Sequence, residues 1–426
     1  MTERVVVTGV GVVAPNANGK EAFSRALREG QSGIRFLPEL RDAGFACQVG
    51  GVPQGIEDLR SKYLTEEELL ATNSNMTFAA IAGLDAWRDA GLARIAPDAE
   101  DVDWDAGAIV GTVLGGLDTI AQKLIPGTDA RRVSRLGSTL CEQYQASGGS
   151  ARLGGLLALG SRVTTNSAAC ATGTDAIIEA FHTIRDGRAK RMLAGGTEGY
   201  SKYGWAGLDG MKVLCRSYNG APETASRPMS ASAAGFVPSS GAGILLMESL
   251  SSAQARGARI YVEVLSAYAN CGGQRMGGTM TAPNPEGVRR CIRGALDMAA
   301  IRAADIDAIN GHLTATFADP HEVENWSAAL GLPPAKLPLI HATKSLIGHA
   351  LGAAGGIECV ASVLELDEGF LHGSINCEDL HPALAAYAER IPHTTIRMPH
   401  MRIMAKASFG FGDVNGCVIF QKFGTG

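Results

Sequence analysis

The sequence predicts an α/β protein with largely buried sheets, laid out as two successive series of strands and helices. Three observations lead there. The chain has 426 residues, more than one hydrophobic core usually supports, so two domains or two fused halves are expected. β-Branched apolar runs alternate with stretches at helical spacing along the whole length, as in sheets covered by helices on both faces. Glycine is abundant, at 54 residues, yet it falls in short clusters without a collagen-like period. Such clusters mark tight turns and close backbone packing.

The elements follow in order. Val5–Val13 reads as a buried strand, β-branched and interrupted by glycine. Its Gly9-x-Gly11 lacks the third glycine of a dinucleotide fingerprint, and Pro15 breaks the helix that should follow, so no nucleotide site is expected. Residues 76–89 carry Phe78, Ile81, Ala82, Leu84 and Trp87 near helical spacing, with Gly91 as a stop. Residues 108–110 are a strand running into a glycine turn, and 162–165 a short extended piece. A helix from about 170 to 185 buries Ile177, Ile178, Phe181 and Ile184, and strand 191–194 comes next. The second series has strand 260–265, helix 287–298, strand 306–309, helix 350–366 and a closing strand 414–420. A boundary near residue 252 gives halves 1–252 and 253–426, with no low-complexity linker between them.

Composition excludes several classes. A net charge of −5 without a Lys/Arg stripe argues against nucleic-acid binding. No apolar stretch reaches the length of a membrane span. The N-terminus has an acidic residue, a short apolar run and no small-residue cleavage site, so a signal peptide is not expected. The nine cysteines are scattered and form no CxxC pair, which fits a reducing, cytoplasmic setting rather than disulfides or structural zinc.

One cysteine stands apart. In Thr164-Thr165-Asn166-Ser167-Ala168-Ala169-Cys170-Ala171-Thr172-Gly173, small residues flank a thiol where a strand gives way to a helix. A helix N-terminus lowers a thiol pKa, and its free N–H groups can hold an oxyanion. The same residues also suit a buried structural cysteine. His349, in Gly348-His349-Ala350-Leu351-Gly352, has room around its ring, and either meets a ligand or satisfies local backbone. Lys344 and Glu358 flank it as an ion pair or as two solvated charges. His312 follows the strand ending at Ile309, and Phe409 and Phe411 lie in the bendable loop Ser408-Phe409-Gly410-Phe411-Gly412.

Together and in this order, Cys170, His312, Lys344, His349 and Phe409 resemble the elongating β-ketoacyl-acyl-carrier-protein synthases. Ser226-Arg227-Pro228, Gly235-Phe236-Val237, Gly241-Ala242-Gly243 and Arg256-Gly257-Ala258 extend the resemblance through the whole chain. It implies a thiolase-like five-layered αβαβα sandwich of two similar halves, normally dimeric. It also implies that Cys170 takes an acyl group from an acyl carrier protein or coenzyme A, with backbone N–H groups of Cys170 and Phe409 as oxyanion donors and Phe409 as gate. Malonyl-carrier protein would then lose carbon dioxide, its enolate held by His312 and His349. Lys344 and Glu358 would be the supporting pair, and Leu114, Phe411, Thr314 and Thr316 would belong to the substrate pocket. No metal or organic cofactor is implied.

The chain departs from that pattern in places. Leu313 stands where glycine is usual, Phe317 where proline is common, and Asp319 carries the expected acid shifted one place. Ser239-Ser240 replaces Gly-Asp, and Asp413-Val414 replaces Gly-Thr. These changes retain every catalytic side chain and point to a specialised condensing enzyme, for a polyketide, a polyene or another unusual acyl chain. Carrier-protein docking is expected at Arg131, Arg132 and Lys212, whereas Glu66-Glu67-Glu68 occupies a stretch often basic in the family. The segment 137–159 falls where the family builds its dimer, so a homodimer or a heterodimer with a related subunit is expected. The competing readings are a non-catalytic partner that sets chain length, and a Cys-dependent thioester hydrolase. A thiolase is disfavoured because Cys417 lies in a strand.

Overall fold

The computed structural model describes residues 2–424. The first half supplies β1 (Val5–Val13), β2 (Ala106–Gly111), β3 (Val163–Thr164), β4 (Arg191–Glu198) and β5 (Gly241–Ser249). The second supplies β6 (Val262–Cys271), β7 (Ala308–Asn310), β8 (Leu339–His341), β9 (Ile403–Gly410) and β10 (Val414–Lys422). Their orders are β3-β2-β4-β5-β1 and β8-β7-β9-β10-β6. In each, the first three strands are parallel and the remaining pairings antiparallel. Each strand of one order has its counterpart at the same place in the other, so the halves repeat one topology that their residues no longer display. The sheets meet where Val5, Val6 and Val7 pair with Val264, Glu263 and Val262.

Helices complete the layers. α1 (Ser74–Asp89) and α2 (Gly148–Leu157) cover the outer face of the first sheet. α3 (Thr172–Arg185) lies between the sheets, and α4 (Pro285–Ala299) covers the second sheet with α5 (Asp319–Leu330) against it. α6 (Ala354–Glu368) joins α3 in the central layer. The result is the expected five-layered α/β sandwich. Residues 354–366 of α6 are all buried, so apolar residues occur on every side of it instead of in one stripe, with Glu358, Ser362 and Glu365 buried among them.

Local chemistry sets the element ends. Asn73 accepts the Met76 N–H at 3.0 Å, so α1 starts two residues before the expected point, since a side-chain cap supplies a partner for a free N–H. Glu66–Leu70 is a short helix with a Thr65/Glu68 capping box, and Glu68 pairs with Arg94 at 2.6 Å. The acidic run is thus a stabilised helix start. α3 begins at Thr172, leaving Cys170 in the preceding turn. β6 extends to Cys271 because Ala269, Asn270 and Cys271 pair with Gly416, Asn415 and Val414. Gly9 and Gly11 let α1 approach β1: added Cβ atoms would fall 2.0 and 1.9 Å from the Ala86 and Ala82 carbonyl oxygens.

Candidate active site

Cys170 and His349 precede the equivalent central helices, α3 and α6. These helices touch at their N-terminal ends because glycines face one another. A Cβ on Gly173 would lie 2.5 Å from the Gly356 nitrogen, so any side chain there would push the two helices apart. Ala169, at φ 48°, turns the chain sharply before Cys170, a conformation costly for a residue with a Cβ. His312 leaves the end of β7 in a loop where Leu313 has φ 21° and Ala315 φ 63°. That loop is held by carboxylates: Glu322 accepts the N–H groups of His312 and Leu313 at 2.7 and 2.8 Å. Asp319 accepts those of Thr314 and Ala315 at 2.8 and 2.9 Å. The shifted acid and Glu322 together hold a backbone in which leucine replaces the usual glycine.

The three side chains converge. The Cys170 sulfur and one ring nitrogen each of His312 and His349 lie within 4.8 Å of one another. The imidazoles stand edge to face, with centroids 5.5 Å apart. The Leu351 N–H donates to His349 Nδ1 at 3.1 Å, and Lys344 Nζ donates to His312 Nδ1 at 3.4 Å. With both Nδ1 atoms accepting, each neutral ring carries its proton on Nε2. Burial, followed by the nearby Lys344 charge, drives both imidazoles well below their ordinary pKa. They stay neutral donors at physiological pH.

The thiol corrects an expectation. The helix N-terminus predicts a lowered pKa, yet burial pushes Cys170 up to about 11. Lys344 and the N–H groups of Phe411 and Cys170 itself work against that rise but do not overcome it. The second N–H near the sulfur is thus Phe411's, whereas Phe409 sits within β9 opposite Asn415 and sets its ring 6.2 Å from that of His312. The N–H beside the sulfur thus belongs to Phe411, two residues past the Phe409 expected as an oxyanion donor. Gly410 allows the approach, because a Cβ there would meet the Ala168 oxygen at 2.7 Å.

A cavity of about 400 Å³ opens over the three residues, lined also by Thr314, Thr316, Phe236, Phe409 and Phe411. Leu114, expected in the pocket, is not part of this lining. It packs with Trp205, Leu214 and Leu351, its backbone fixed by the buried Glu198, which accepts the Val113 and Leu114 N–H groups at 3.0 Å. Lys344 and Glu358 lie behind the lining as a fully buried ion pair. Lys344 stands behind His312, and neither Lys344 nor Glu358 is part of the cavity lining. A second lysine, not anticipated, joins them: Lys406 Nζ is 2.8 Å from Glu358 Oε2. A lone charged residue inside the mostly apolar strand β9 was the available signal. Lys212 is exposed beside the cavity-lining Val213, while Arg131 and Arg132 are exposed and outside the lining.

A second titratable cluster lies in the core. His341 Nδ1 is 3.1 Å from His372 Nε2, and His341 Nε2 is 3.5 Å from Glu365 Oε2. His372 Nδ1–H donates to the Gly373 oxygen at 2.9 Å, so its Nε2 accepts. His341 consequently donates from Nδ1 and turns a bare Nε2 toward Glu365. Burial raises Glu365 well above the ordinary carboxyl range; its Oε1 accepts the His372 backbone N–H at 2.9 Å, while its Oε2 and His341 Nε2 make no hydrogen bond among the described residues. Because the folded pKa of Glu365 exceeds its unfolded one, its contribution is full in acid and is lost as pH rises through the folded value. Glu365→Gln should cost under about 1 kcal/mol and flatten that pH dependence. Glu365→Ala should cost about 1–3 kcal/mol by stranding the His372 N–H, and urea midpoints across pH measure both.

The comparisons agree with the geometry. The β-ketoacyl synthase N-terminal domain matches residues 2–253, and the β-ketoacyl synthase C-terminal domain matches 261–378. The chain belongs to the β-ketoacyl synthase family. Among its relatives, 3-oxoacyl-[acyl-carrier-protein] synthase 1 of Escherichia coli (strain K12) is 34% identical over 99% of each chain. The corresponding synthase 2 of Vibrio harveyi is 33% identical over 98% of each. Full-length likeness at that level makes the chain an elongating condensing enzyme of this class, an acyltransferase. Among solved structures, an ishigamide ketosynthase/chain length factor superposes with a TM-score of 0.88 at 29% identity, covering 100% of both chains. A type II polyketide ketosynthase, in complex with its acyl-carrier protein, gives 0.87 at 27% identity, covering 99% of this chain and 100% of its own. Among the described residues, no helix is long and apolar enough to cross a membrane.

Proposed function

We propose that the protein extends acyl chains by decarboxylative condensation, with Cys170 as nucleophile and His312 and His349 as enolate donors. The Cys170 sulfur attacks an acyl-carrier-protein thioester, the carrier thiol leaves, and an acyl-Cys170 thioester remains. Malonyl-carrier protein then loses its carboxylate as carbon dioxide. The electron pair of the broken C–C bond becomes the enolate, whose oxygen accepts the two Nε2–H bonds. Enolate carbon attacks the acyl carbonyl, Cys170 departs as thiolate and takes up a proton, and a 3-oxoacyl thioester two carbons longer results. The N–H groups of Cys170 and Phe411 support the tetrahedral oxyanion.

The observation that carries this reading is the pair of neutral imidazoles, both with Nδ1 accepting, beside one sulfur. Fixed donors aimed at developing charge lower the barrier without general-base chemistry. Departures at Leu313, Asp319 and Asp413, with the likeness to polyketide ketosynthases, support a specialised acyl substrate. The intact triad disfavours a silent chain-length subunit, which needs no nucleophile. A dimer through segment 137–159, with itself or with a related subunit, fits the family pattern. The test mixes the protein with acyl- and malonyl-carrier proteins. A product two carbons longer with one carbon dioxide per turnover is expected, and free fatty acid alone would reject condensation in favour of hydrolysis.

The pKa pattern adds a pH prediction. With the thiol at about 11 and thiolate as the attacking form, acyl loading should accelerate roughly tenfold per unit between pH 7 and 9. The imidazoles, already neutral, should add no acid limb above pH 6. The rate of adduct formation on Cys170 checks both.

A further inference from the structure

We infer that Asp413 is a specificity-determining latch that pins the two loops walling the cavity and so caps the size of acyl group the site accepts. The inference rests on the condensing reading above. Asp413 is buried at the tip of the β9–β10 hairpin, one residue past Gly412. One carboxylate oxygen accepts the Gln274 N–H at 2.8 Å, and the other accepts the Asn284 N–H at 2.8 Å. Its own carbonyl takes the Gly272 N–H at 2.9 Å, and the Gly412 N–H reaches back to the Met280 oxygen at 2.8 Å.

Segment 272–284 is therefore tied to the hairpin near its start, in its middle and at its end. Asn284 anchors the last tie, capping α4 and donating to the Gly272 oxygen at 2.9 Å. Both partners line the cavity: Gly277, Thr281, Ala282 and Pro283 from the segment, and Phe409, Gly410 and Phe411 from the hairpin. Gly272 and Gly278 leave room for the carboxylate, since a Cβ on either would lie within 2.3–2.6 Å of its oxygens. Moving either wall requires breaking charge-assisted bonds that are costly to leave unmade in a buried site. Residues with φ of 52° at Gln274, 53° at Met276 and 65° at Asp413 are held by the same ties.

Asp413→Gly removes the latch without backbone strain, because glycine suits φ 65°. Asp413→Asn keeps one acceptor but sets an amide N–H against a backbone N–H. Hydrogen exchange of the full-length protein should show amides in 272–284 exchanging at least tenfold faster in both variants. In parallel, each protein meets a mixture of acyl thioesters of four to sixteen carbons, and adducts on Cys170 are read by intact mass. The variants should load chains at least two carbons beyond the wild-type limit, with unchanged preference among the short ones. Unchanged exchange, or an unchanged upper limit, overturns the latch. Absence of any adduct in all three proteins rejects the acyl-accepting reading and the size limit with it, while exchange still decides whether the two walls are pinned.

Discussion

Cys170→Ala is expected to lose acyl loading by at least about 10³-fold, leaving the fold intact. The sulfur is the only nucleophile among the residues lining the cavity that sits beside two backbone N–H groups and two imidazoles. Alanine fits its turn, because the preceding strained residue is itself alanine. The neighbouring Cys359 and Cys417 cannot take over, because both are buried in the core and burial holds both thiols near 12. Intact mass after incubation with an acyl thioester reads the result directly. Loading that survives in the variant would remove Cys170 from the mechanism.

The second large effect separates the two chemical steps. His312→Ala and His349→Ala should each slow decarboxylative extension about 10²–10³-fold, the usual weight of one preorganised donor to a developing oxyanion. Loading should fall much less, because the oxyanion of that step faces the Cys170 and Phe411 N–H groups instead. Single-turnover measurements of adduct formation and of carbon dioxide release resolve the difference. Equal loss of both steps would assign the rings to thiol activation, a role their missing acceptor nitrogens on the cavity side already oppose.

Much of this was legible in the residues, for identifiable reasons. Val5–Val13 showed its strand because every residue is buried and β-branched side chains dominate. Cys170, His312 and His349 stood out because glycines and small residues surround them in loops, where a packed core would not place them. What escaped was tertiary. Phe409 and Phe411 look alike in Ser408-Phe409-Gly410-Phe411-Gly412, and only the end of β9 decides which N–H turns to the sulfur. The thiol's raised pKa follows from how completely the second half covers it, which a local helix-dipole argument cannot anticipate. Lys406 reaches Glu358 from strand β9, so neighbouring sequence gave it no partner, and Glu322 reaches the His312 loop only because α5 folds back against it. Leu114 followed the family pattern but is held by Glu198, 84 positions away.

The decisive measurement follows the acyl group itself. Enzyme carrying a labelled acyl chain on Cys170 is purified, mixed with malonyl-carrier protein, and sampled for label, carbon dioxide and free thiol. If two protonated Nε2 atoms hold the enolate against that thioester, label leaves Cys170 into a 3-oxoacyl thioester in equal amount to the carbon dioxide released. Label appearing as free acid, or carbon dioxide released while the thioester persists, would contradict it.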